Sequence, residues 1–344
     1  MARRLLWASF ALVPATLLAD FAFHAGKVTL FVLAALALIP LAWMIGDATE
    51  HAAAHTGSRI GGFLNASFGN APELIIALIA IADDLPNVVR GSLAGSVVSN
   101  ILLVLGAAFV VGKDSALDRR SLLRQLALVF GAVLVLLIPS IPGWHGDPDR
   151  HSLALLGIAP AVLLLVAYLV GTARRLRGSA PDDDAQTKDG WTLRTSLVAL
   201  AVATAATAVI SEIFVHSLEA FADAAGLTEF FISFVIVAIV GNAAEHGGAV
   251  VIARRGNMPL ATEIAISSSA QVAVLVVPAI ALLSFAFEHP LALAFRWEEV
   301  VAMGAAAAFV AFVLRDGRSH RWEGVMLIGV YVAMAVVFLF VGDR

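Results

Sequence analysis

Apolar residues along this chain are grouped in long continuous runs, not in the alternating pattern of a half-buried strand. Most runs are about 20 residues long, which is the length a helix needs to cross roughly 30 Å of hydrocarbon. A transmembrane barrel would show alternation, so the pattern predicts helices. Eleven spans are predicted: Leu5–Phe23, Val28–Gly46, Ile60–Ala82, Gly91–Gly112, Leu126–Ile141, Ser152–Gly171, Thr195–Phe214, Phe231–Ala253, Ile264–Phe287, Glu298–Leu314 and Val325–Val341.

Composition supports the same class. The 344 residues are 60% hydrophobic and 14% charged, and the mean hydropathy is +0.91. An ordinary soluble domain is about 45–50% apolar and about 25% charged. The predicted fold class is therefore an all-α polytopic membrane protein, with the lipid bilayer as its surroundings and no nucleic-acid partner. Cysteine is absent, which excludes disulfides, thiolate metal sites and a cysteine nucleophile.

Basic residues predict the orientation of the spans. With a cytoplasmic N-terminus, only five of the 22 Lys and Arg residues lie outside: Lys27, Arg90, Arg150, Arg296 and Arg344. Because basic residues concentrate in cytoplasmic loops, this distribution predicts an N-terminus inside and a C-terminus outside. The short loops favour a prokaryotic cell (inner) membrane. Whether the chain forms a homo-oligomer is not readable from these patterns.

An acidic, Gly- and Pro-containing stretch near the middle divides the chain into comparable halves. The predicted organisation is an N-terminal helix in residues 1–25, a five-helix repeat in 26–171, a cytoplasmic linker in 172–192 and a second five-helix repeat in 193–344. Asp47 precedes Glu73 by 26 residues, and Glu219 precedes Glu245 by the same interval. An odd number of spans inverts the second copy, which is typical of secondary transporters.

Two glutamates lie near the middle of predicted spans, Glu73 in GNAPE and Glu245 in GNAAE. A charged side chain at that depth costs about 2.5–3.5 kcal/mol on insertion scales. Such residues face the bundle interior and are functional candidates. The alternative is a pair of protonated acids that only join helices. Gly69 and Pro72 predict a helix interruption that frees backbone carbonyls, although glycines also serve close helix packing.

Polar side chains accompany each glutamate. Asn70 and Asn242 lie three residues before Glu73 and Glu245, on the same helix face. The following helix adds Asn100 in one half and Gln271 in the other, together with hydroxyls that either bind an ion or bond to the backbone: Ser92, Ser96, Ser99, Ser267, Ser268 and Ser269. An oxygen-only ligand set suits a hard cation such as calcium, which takes about 6–8 oxygens.

Charged residues at the predicted membrane edges suggest access routes. Asp47 and Glu50, with His51 and His55, are candidates for a cytoplasmic entrance. The candidates for the external vestibule are Glu212 and Glu219. His246, next to Glu245, is interpreted either as a hydrogen-bonded orienting residue or as a proton relay.

The motifs GNAPELIIALIA and GNAAEHGGAVVIA resemble the two signature repeats of the cation/proton exchanger branch of the calcium/cation antiporter superfamily. GSLAGSVVSNILLVLG and SSSAQVAVLVVP are also similar to that family. The resemblance implies eleven helices with an acidic linker after the sixth. It also implies that Glu73 and Glu245 bind cation and proton alternately, with Asn70, Asn100, Asn242 and Gln271 as supporting oxygen ligands.

Three positions depart from the family pattern. Pro72 stands where this branch commonly has threonine, Asp47 where it often has glutamate, and Ser267 where it often has glycine. The predicted function is exchange of cytoplasmic Ca²⁺ for external H⁺, with no resident cofactor and no enzymatic activity. The alternatives are a Na⁺/Ca²⁺ exchanger, an antiporter of another divalent cation such as Mn²⁺, and a cation channel.

Overall fold

Helices make up most of the chain in the computed structural model, which describes residues 2–144, 150–178 and 190–340. In the first half they are α1 (Ala2–Ser9), α2 (Leu12–Phe21), α3 (Lys27–Phe68), α4 (Ala71–Ala82), α5 (Pro86–Ser99), α6 (Leu105–Val111), α7 (Arg119–Trp144) and α8 (Arg150–Gly178). Next come α9 (Leu193–His216), α10 (Leu218–Ala225), α11 (Glu229–Ile232), α12 (Ala238–Gly241), α13 (Ala243–Arg254), α14 (Met258–Gln271), α15 (Val277–Leu283), α16 (Trp297–Val313) and α17 (Arg321–Leu339).

Short elements complete the backbone. Single π-helical segments occupy Asn100–Val104, Ser233–Val237 and Val272–Val276, and 3₁₀ turns occupy Ser284–Ala286 and Leu314–Asp316. Two-residue strands, β1 (Ser115–Ala116) and β2 (Arg318–Ser319), pair antiparallel, with Ser115 opposite Ser319.

Eight helices among the described residues are long and apolar enough to cross a membrane. They lie at Lys27–Thr56, Pro86–Val111, Arg119–Trp144, His151–Arg174, Leu193–His216, Met258–Ala286, Trp297–Asp316 and Arg321–Leu339. Large apolar side chains on their outer faces are exposed, for example Leu163 and Val202. This arrangement is expected of a protein whose surface contacts lipid, and the chain is an integral membrane protein.

The boundary predicted between the second and third spans is wrong. The second predicted span ends at Gly46 and the third begins at Ile60, yet α3 is continuous from Lys27 to Phe68. At 1.5 Å per residue this helix is about 63 Å long, roughly twice the thickness of the hydrocarbon core. Charged residues end an apolar run without ending a helix, because helical backbone hydrogen bonds do not depend on side-chain polarity.

Two other predicted boundaries also differ. The first predicted span, Leu5–Phe23, consists of two helices, α1 and α2. The predicted linker 172–192 begins too early, because α8 continues through Gly178. Residues 179–189, which carry the acidic cluster of the linker, lie outside the described residues. The linker ends at α9, where the Thr192 side chain accepts a hydrogen bond from the Thr195 backbone N–H.

Element lengths repeat along the chain with a constant offset. Helix α4 and helix α13 both have 12 residues. Helix α5, its π segment and α6 have 14, 5 and 7 residues, and α14, its π segment and α15 have the same three lengths. In residues 71–111, each residue of these helices matches one 172 positions later. Val97 and Ser269 are one such pair, and the Ser269 hydroxyl donates to the Val97 carbonyl oxygen at 3.0 Å.

This offset corrects the predicted equivalence of the two amides. Glu73 and Glu245 correspond, as predicted, but Asn100 corresponds to Val272, and Gln271 corresponds to Ser99. Asn100 lies 27 residues after Glu73, whereas Gln271 lies 26 residues after Glu245. The helix bounds show the same difference of one residue. Asn100 is the first residue of its π segment, whereas Gln271 is the last residue of the α-helix before its own π segment.

The chain divides into two compact units. The first comprises Met1–Ile79, Ala167–Gly226 and Val240–Ala244. Within it, α3 packs along α9, and Phe31 stacks on Phe214 and Phe221 with ring centroids 4.7 and 4.2 Å away. Its buried core includes Ile45 and Leu200.

The second unit comprises Ala80–Val166, Leu227–Ile239 and Glu245–Arg344. Glycines permit close helix contacts within it. A Cβ atom at Gly95 would lie 2.0 Å from the Phe234 carbonyl oxygen, so α5 packs directly on the π segment that contains Phe234. Likewise, a Cβ atom at Gly106 of α6 would lie 2.9 Å from the carbonyl oxygen of Gly324 in α17. Small residues are what close approach between membrane helices requires.

Candidate cation-binding site

The first motif lies at a helix interruption, as the sequence predicts. Helix α3 ends at Phe68, Gly69 and Asn70 form a turn, and α4 begins at Ala71. Pro72 therefore lies in the first turn of α4, where its missing N–H leaves no intrahelical bond unmade. Glu73 is the third residue of α4 and is 7% exposed, while Asn70 is 3% exposed. The first motif thus buries a carboxylate and an amide beside a break in the helix.

The second motif repeats this arrangement without a proline. Helix α12 ends at Gly241, Asn242 forms the turn, and α13 begins at Ala243. Glu245 is again the third residue of its helix. Asn242 is 1% exposed. Gly247 and Gly248 have open space where a Cβ would stand, so close packing is not the reason for these two glycines.

Within the first unit, the two motifs meet. A Cβ atom at Gly241, the first residue of the second motif, would lie 3.2 Å from Cγ of Glu73. A contact of that length is tighter than nearly all real Cβ contacts, so glycine leaves room for the Glu73 side chain. The Glu73 side chain therefore lies next to Gly241 of the second motif.

In the second unit, Glu245 belongs to a hydrogen-bonded group. Its side chain is hydrogen-bonded to Ser268. The Asn100 amide nitrogen donates to the Ser268 hydroxyl at 3.0 Å, and the Asn100 amide oxygen lies 3.1 Å from Nε2 of His246. Asn100 is 1% exposed. Of the two readings of His246, that of a hydrogen-bonded residue matches this geometry.

Four of the remaining serines fall into two groups. The hydroxyls of Ser92, Ser99 and Ser267 donate to carbonyls three residues earlier in their own helices, so backbone bonding accounts for them. The Ser269 hydroxyl instead bonds across to the Val97 carbonyl. Gln271 is partly exposed at the end of α14.

The residues predicted at the access routes lie on helices. Asp47 and Glu50 belong to α3, with Asp47 about one-quarter exposed and Glu50 exposed. His51 Nδ1 is 2.8 Å from the Asp47 carbonyl oxygen. Glu212 of α9 and Glu219 of α10 are exposed. These positions agree with side chains accessible to an aqueous phase.

Trp191 is a neighbour of this region that sequence reasoning missed. Its ring stacks on His51 at 5.1 Å, and its carbonyl oxygen is 2.7 Å from His55 Nε2. Both histidines of the predicted entrance are therefore engaged with the end of the linker. The only sequence signal was the position of a tryptophan between a polar stretch and an apolar helix, where membrane interfaces favour this residue.

The model of the sodium/calcium exchanger protein family matches residues 27–176 and 195–340. The chain is 36% identical over 330 residues to the Ca(2+)/H(+) antiporter ChaA of Bacillus subtilis, covering 92% of this chain and 93% of that protein. It is 34% identical over 343 residues to a Ca(2+)/H(+) antiporter of Synechocystis sp., covering 92% of each. The solved structure of native YfkE superposes with a TM-score of 0.85 at 32% identity, covering 97% of this chain and 99% of that one.

Proposed function

The chain belongs to the sodium/calcium exchanger family, in its cation/proton exchanger branch, and from this we propose that it exchanges cytoplasmic Ca²⁺ for external H⁺. One structural observation supports a site at the two motifs: the side chain of the buried glutamate of the first GNA-x-E motif lies next to Gly241 of the second, with no room for a Cβ between them. Relatives at 34–36% identity that span nearly the whole chain are named Ca²⁺/H⁺ antiporters, which supports calcium as the cation and the proton as the coupling ion.

Each motif offers a cation two kinds of oxygen. The last carbonyls of a helix have no intrahelical donor, so those at the ends of α3 and α12 are available at the breaks. The carboxylates of Glu73 and Glu245 stand in the first turn of the next helix, where the positive end of the dipole favours a negative charge. Half-helix ends of this kind form the ion sites of many transporters.

Amide oxygens complete the proposed ligand set. Asn70 and Asn242 lie in the two turns, and Asn100 and Gln271 follow on the next helices. An amide oxygen has two lone pairs, so the hydrogen bond from His246 does not by itself prevent the Asn100 oxygen from binding an ion. The set is oxygen-only, as hard cations prefer.

Charge balance couples the two ion fluxes. Two ionised glutamates offset the two positive charges of Ca²⁺, so a loaded site is close to neutral and tolerates a low dielectric. Protonation of both carboxylates also makes the site neutral, whereas the empty, doubly ionised site is costly to enclose. The carrier therefore changes its access when it holds calcium or protons. At least two protons are exchanged for each calcium ion.

The proposed layout is one N-terminal helix followed by two inverted five-helix repeats in a prokaryotic cell membrane, with the N-terminus inside and the C-terminus outside. Eight spans are the long apolar helices. The other three are assembled from shorter pieces: α2, the end of α3 with α4, and α11 to α13. Asp47 and Glu50 then form the cytoplasmic entrance, while the external vestibule contains Glu212 and Glu219.

The proposed function is tested in proteoliposomes that contain the purified protein. An acidic lumen should drive uptake of external Ca²⁺, and a protonophore that dissipates the gradient should stop it. A sodium gradient at equal pH on both sides should drive none. Uptake driven by sodium alone would refute proton coupling and favour the Na⁺/Ca²⁺ alternative. Competition by Mn²⁺ tests whether calcium is the preferred divalent cation, and saturation at a low rate separates a carrier from a channel.

A further inference from the structure

A chain of hydrogen bonds joins Glu245 to its own neighbour His246 through two other helices. It runs from His246 Nε2 to the Asn100 amide oxygen at 3.1 Å, and from the Asn100 amide nitrogen to the Ser268 hydroxyl at 3.0 Å. It ends in the hydrogen bond between Ser268 and Glu245. Asn100 and Ser268 are 1% and 3% exposed, so water does not readily replace these partners.

The direction of every hydrogen bond in this chain follows from the orientation of the Asn100 amide. An amide oxygen only accepts, so the hydrogen between His246 and Asn100 must be on Nε2 of the imidazole. The Asn100 nitrogen then faces Ser268 and donates to its oxygen. The Ser268 hydroxyl hydrogen is consequently free to point at the Glu245 carboxylate, which accepts hydrogen bonds when ionised.

The opposite orientation of the amide would reverse this outcome. With its oxygen towards Ser268, Asn100 would compete with Glu245 for the single hydroxyl hydrogen. A donor at position 246 prevents this rotation, because the rotated amide would place N–H against N–H. The imidazole therefore acts on Glu245 from a distance, through two side chains.

The same sequence of residue types does not recur at Glu73. The 172-residue offset pairs Glu245 with Glu73 and Ser268 with Ser96. It pairs His246 with Leu74 and Asn100 with Val272, neither of which has a polar side chain. The hydrogen-bond chain is therefore specific to one of the two repeats and is not a by-product of the shared fold.

We propose that His246 is a positioning residue: its Nε2–H fixes the Asn100 amide so that Ser268 donates to the Glu245 carboxylate and holds it for the cation. The inference rests on the proposed function of Glu245 as a cation ligand. It distinguishes Glu245 from Glu73, because the residues that correspond to His246 and Asn100 at Glu73 are Leu74 and Val272.

Calcium transport by reconstituted variants tests the proposal. His246→Leu and Ser268→Ala should each raise the KM for Ca²⁺ about tenfold, as loss of a hydrogen bond to a charged group implies, with a smaller change in maximal rate. The double variant should match the single variants within about twofold, because both changes remove the same hydrogen bond. His246→Gln retains a side-chain N–H donor and should restore most of the affinity.

Exposed His289 supplies the matched control, since His289→Leu lies outside the chain of hydrogen bonds and should leave the KM unchanged. An unchanged KM in His246→Leu, or effects of His246→Leu and Ser268→Ala that multiply in the double variant, would overturn the proposal. A purely structural role for His246 would lower folded yield and maximal rate without this non-additivity.

A second measurement does not depend on transport or on the folding of His246→Leu. In protein labelled with ¹⁵N-histidine, the neutral imidazole of His246 should be the Nε2–H tautomer in nitrogen NMR spectra, with the signal assigned by its absence in His246→Gln. The Nδ1–H tautomer would overturn the proposal. Failure of the wild type to exchange Ca²⁺ for H⁺ would instead refute the proposed function and leave this result intact.

Discussion

Glu73 and Glu245 hold the same position in helices of the same length, yet their surroundings differ. Glu73 is 7% exposed and faces the backbone of Gly241, while Glu245 is partly exposed and is hydrogen-bonded to Ser268. Oε2 of Glu245 is buried and has no hydrogen-bond partner among the described residues. A buried acceptor without a donor costs about 1–3 kcal/mol, and a bound cation removes that cost.

At the residue scale, replacing either carboxylate should abolish exchange. Glu73→Gln and Glu245→Gln each leave one negative charge against a divalent cation, and removal of one partner of a buried charge pair costs roughly 3–5 kcal/mol. The expected loss of calcium affinity is therefore more than about a hundredfold. Proton-driven Ca²⁺ uptake in everted vesicles measures it.

Glu263→Gln is the control for these two variants. Glu263 is exposed on α14 and has no part in the proposed site, so its replacement should leave uptake at the wild-type level. Uptake that survives either Glu73→Gln or Glu245→Gln, at comparable amounts of folded protein, would contradict the proposed ligands.

At the element scale, a helix interruption repeats at both motifs, and a π segment follows in the next helix of each half. The sequence predicted the interruption at Gly69, since glycine and proline weaken a helix there. It did not predict the π segments, because an extra residue in a helical turn has no local sequence marker. The contact between Asn100 and Ser268 was also beyond prediction, since it joins residues 168 positions apart.

Close packing of the π segment in residues 233–237 on α5 gives a second prediction. Gly95→Ala places a Cβ about 2.0 Å from the backbone oxygen of Phe234, and a backbone atom moves only with its whole segment. Overpacking of this kind costs about 1–3 kcal/mol, so the apparent melting temperature of the purified protein should fall by several degrees.

Gly131→Ala on α7 is the matched substitution, because a Cβ there meets nothing within 4 Å. Its melting temperature should equal that of the wild type or exceed it slightly, since alanine favours a helix. Equal effects of the two substitutions would show that helix propensity, and not the contact with Phe234, governs stability at Gly95.

At the scale of the whole molecule, hydropathy and charge predicted the class and most spans. They failed at α3, where a polar segment continues a helix that the apolar pattern divides. The predicted sidedness of every later loop depends on the number of membrane crossings assigned to α3 and α4. One crossing more or fewer would move each later loop from the cytoplasmic side to the external side, or the reverse. The proposed eleven-span layout therefore makes a sharp prediction about accessibility.

Variants with a single introduced cysteine report on which side of the membrane a loop lies. The natural sequence contains no cysteine, so the wild-type protein is the unlabelled control. In intact cells, a membrane-impermeant maleimide should label Glu288→Cys but neither Thr56→Cys nor Arg255→Cys. Permeabilised cells should allow labelling of all three, since the three native residues are at least partly exposed. Labelling of Arg255→Cys and protection of Glu288→Cys in intact cells would contradict the layout.

The contact between Ser269 and Val97 joins two equivalent positions of the repeat. When two copies of one motif exchange their conformations, a residue paired with its own counterpart meets the same neighbour before and after the exchange. We expect this pair to keep its contact while the two copies exchange conformations, so that the accessibility of the carboxylates changes and the contact does not. The hydrogen bond ends on a backbone carbonyl and involves no charged side chain, so binding of a cation or a proton elsewhere leaves the charge of both partners unchanged.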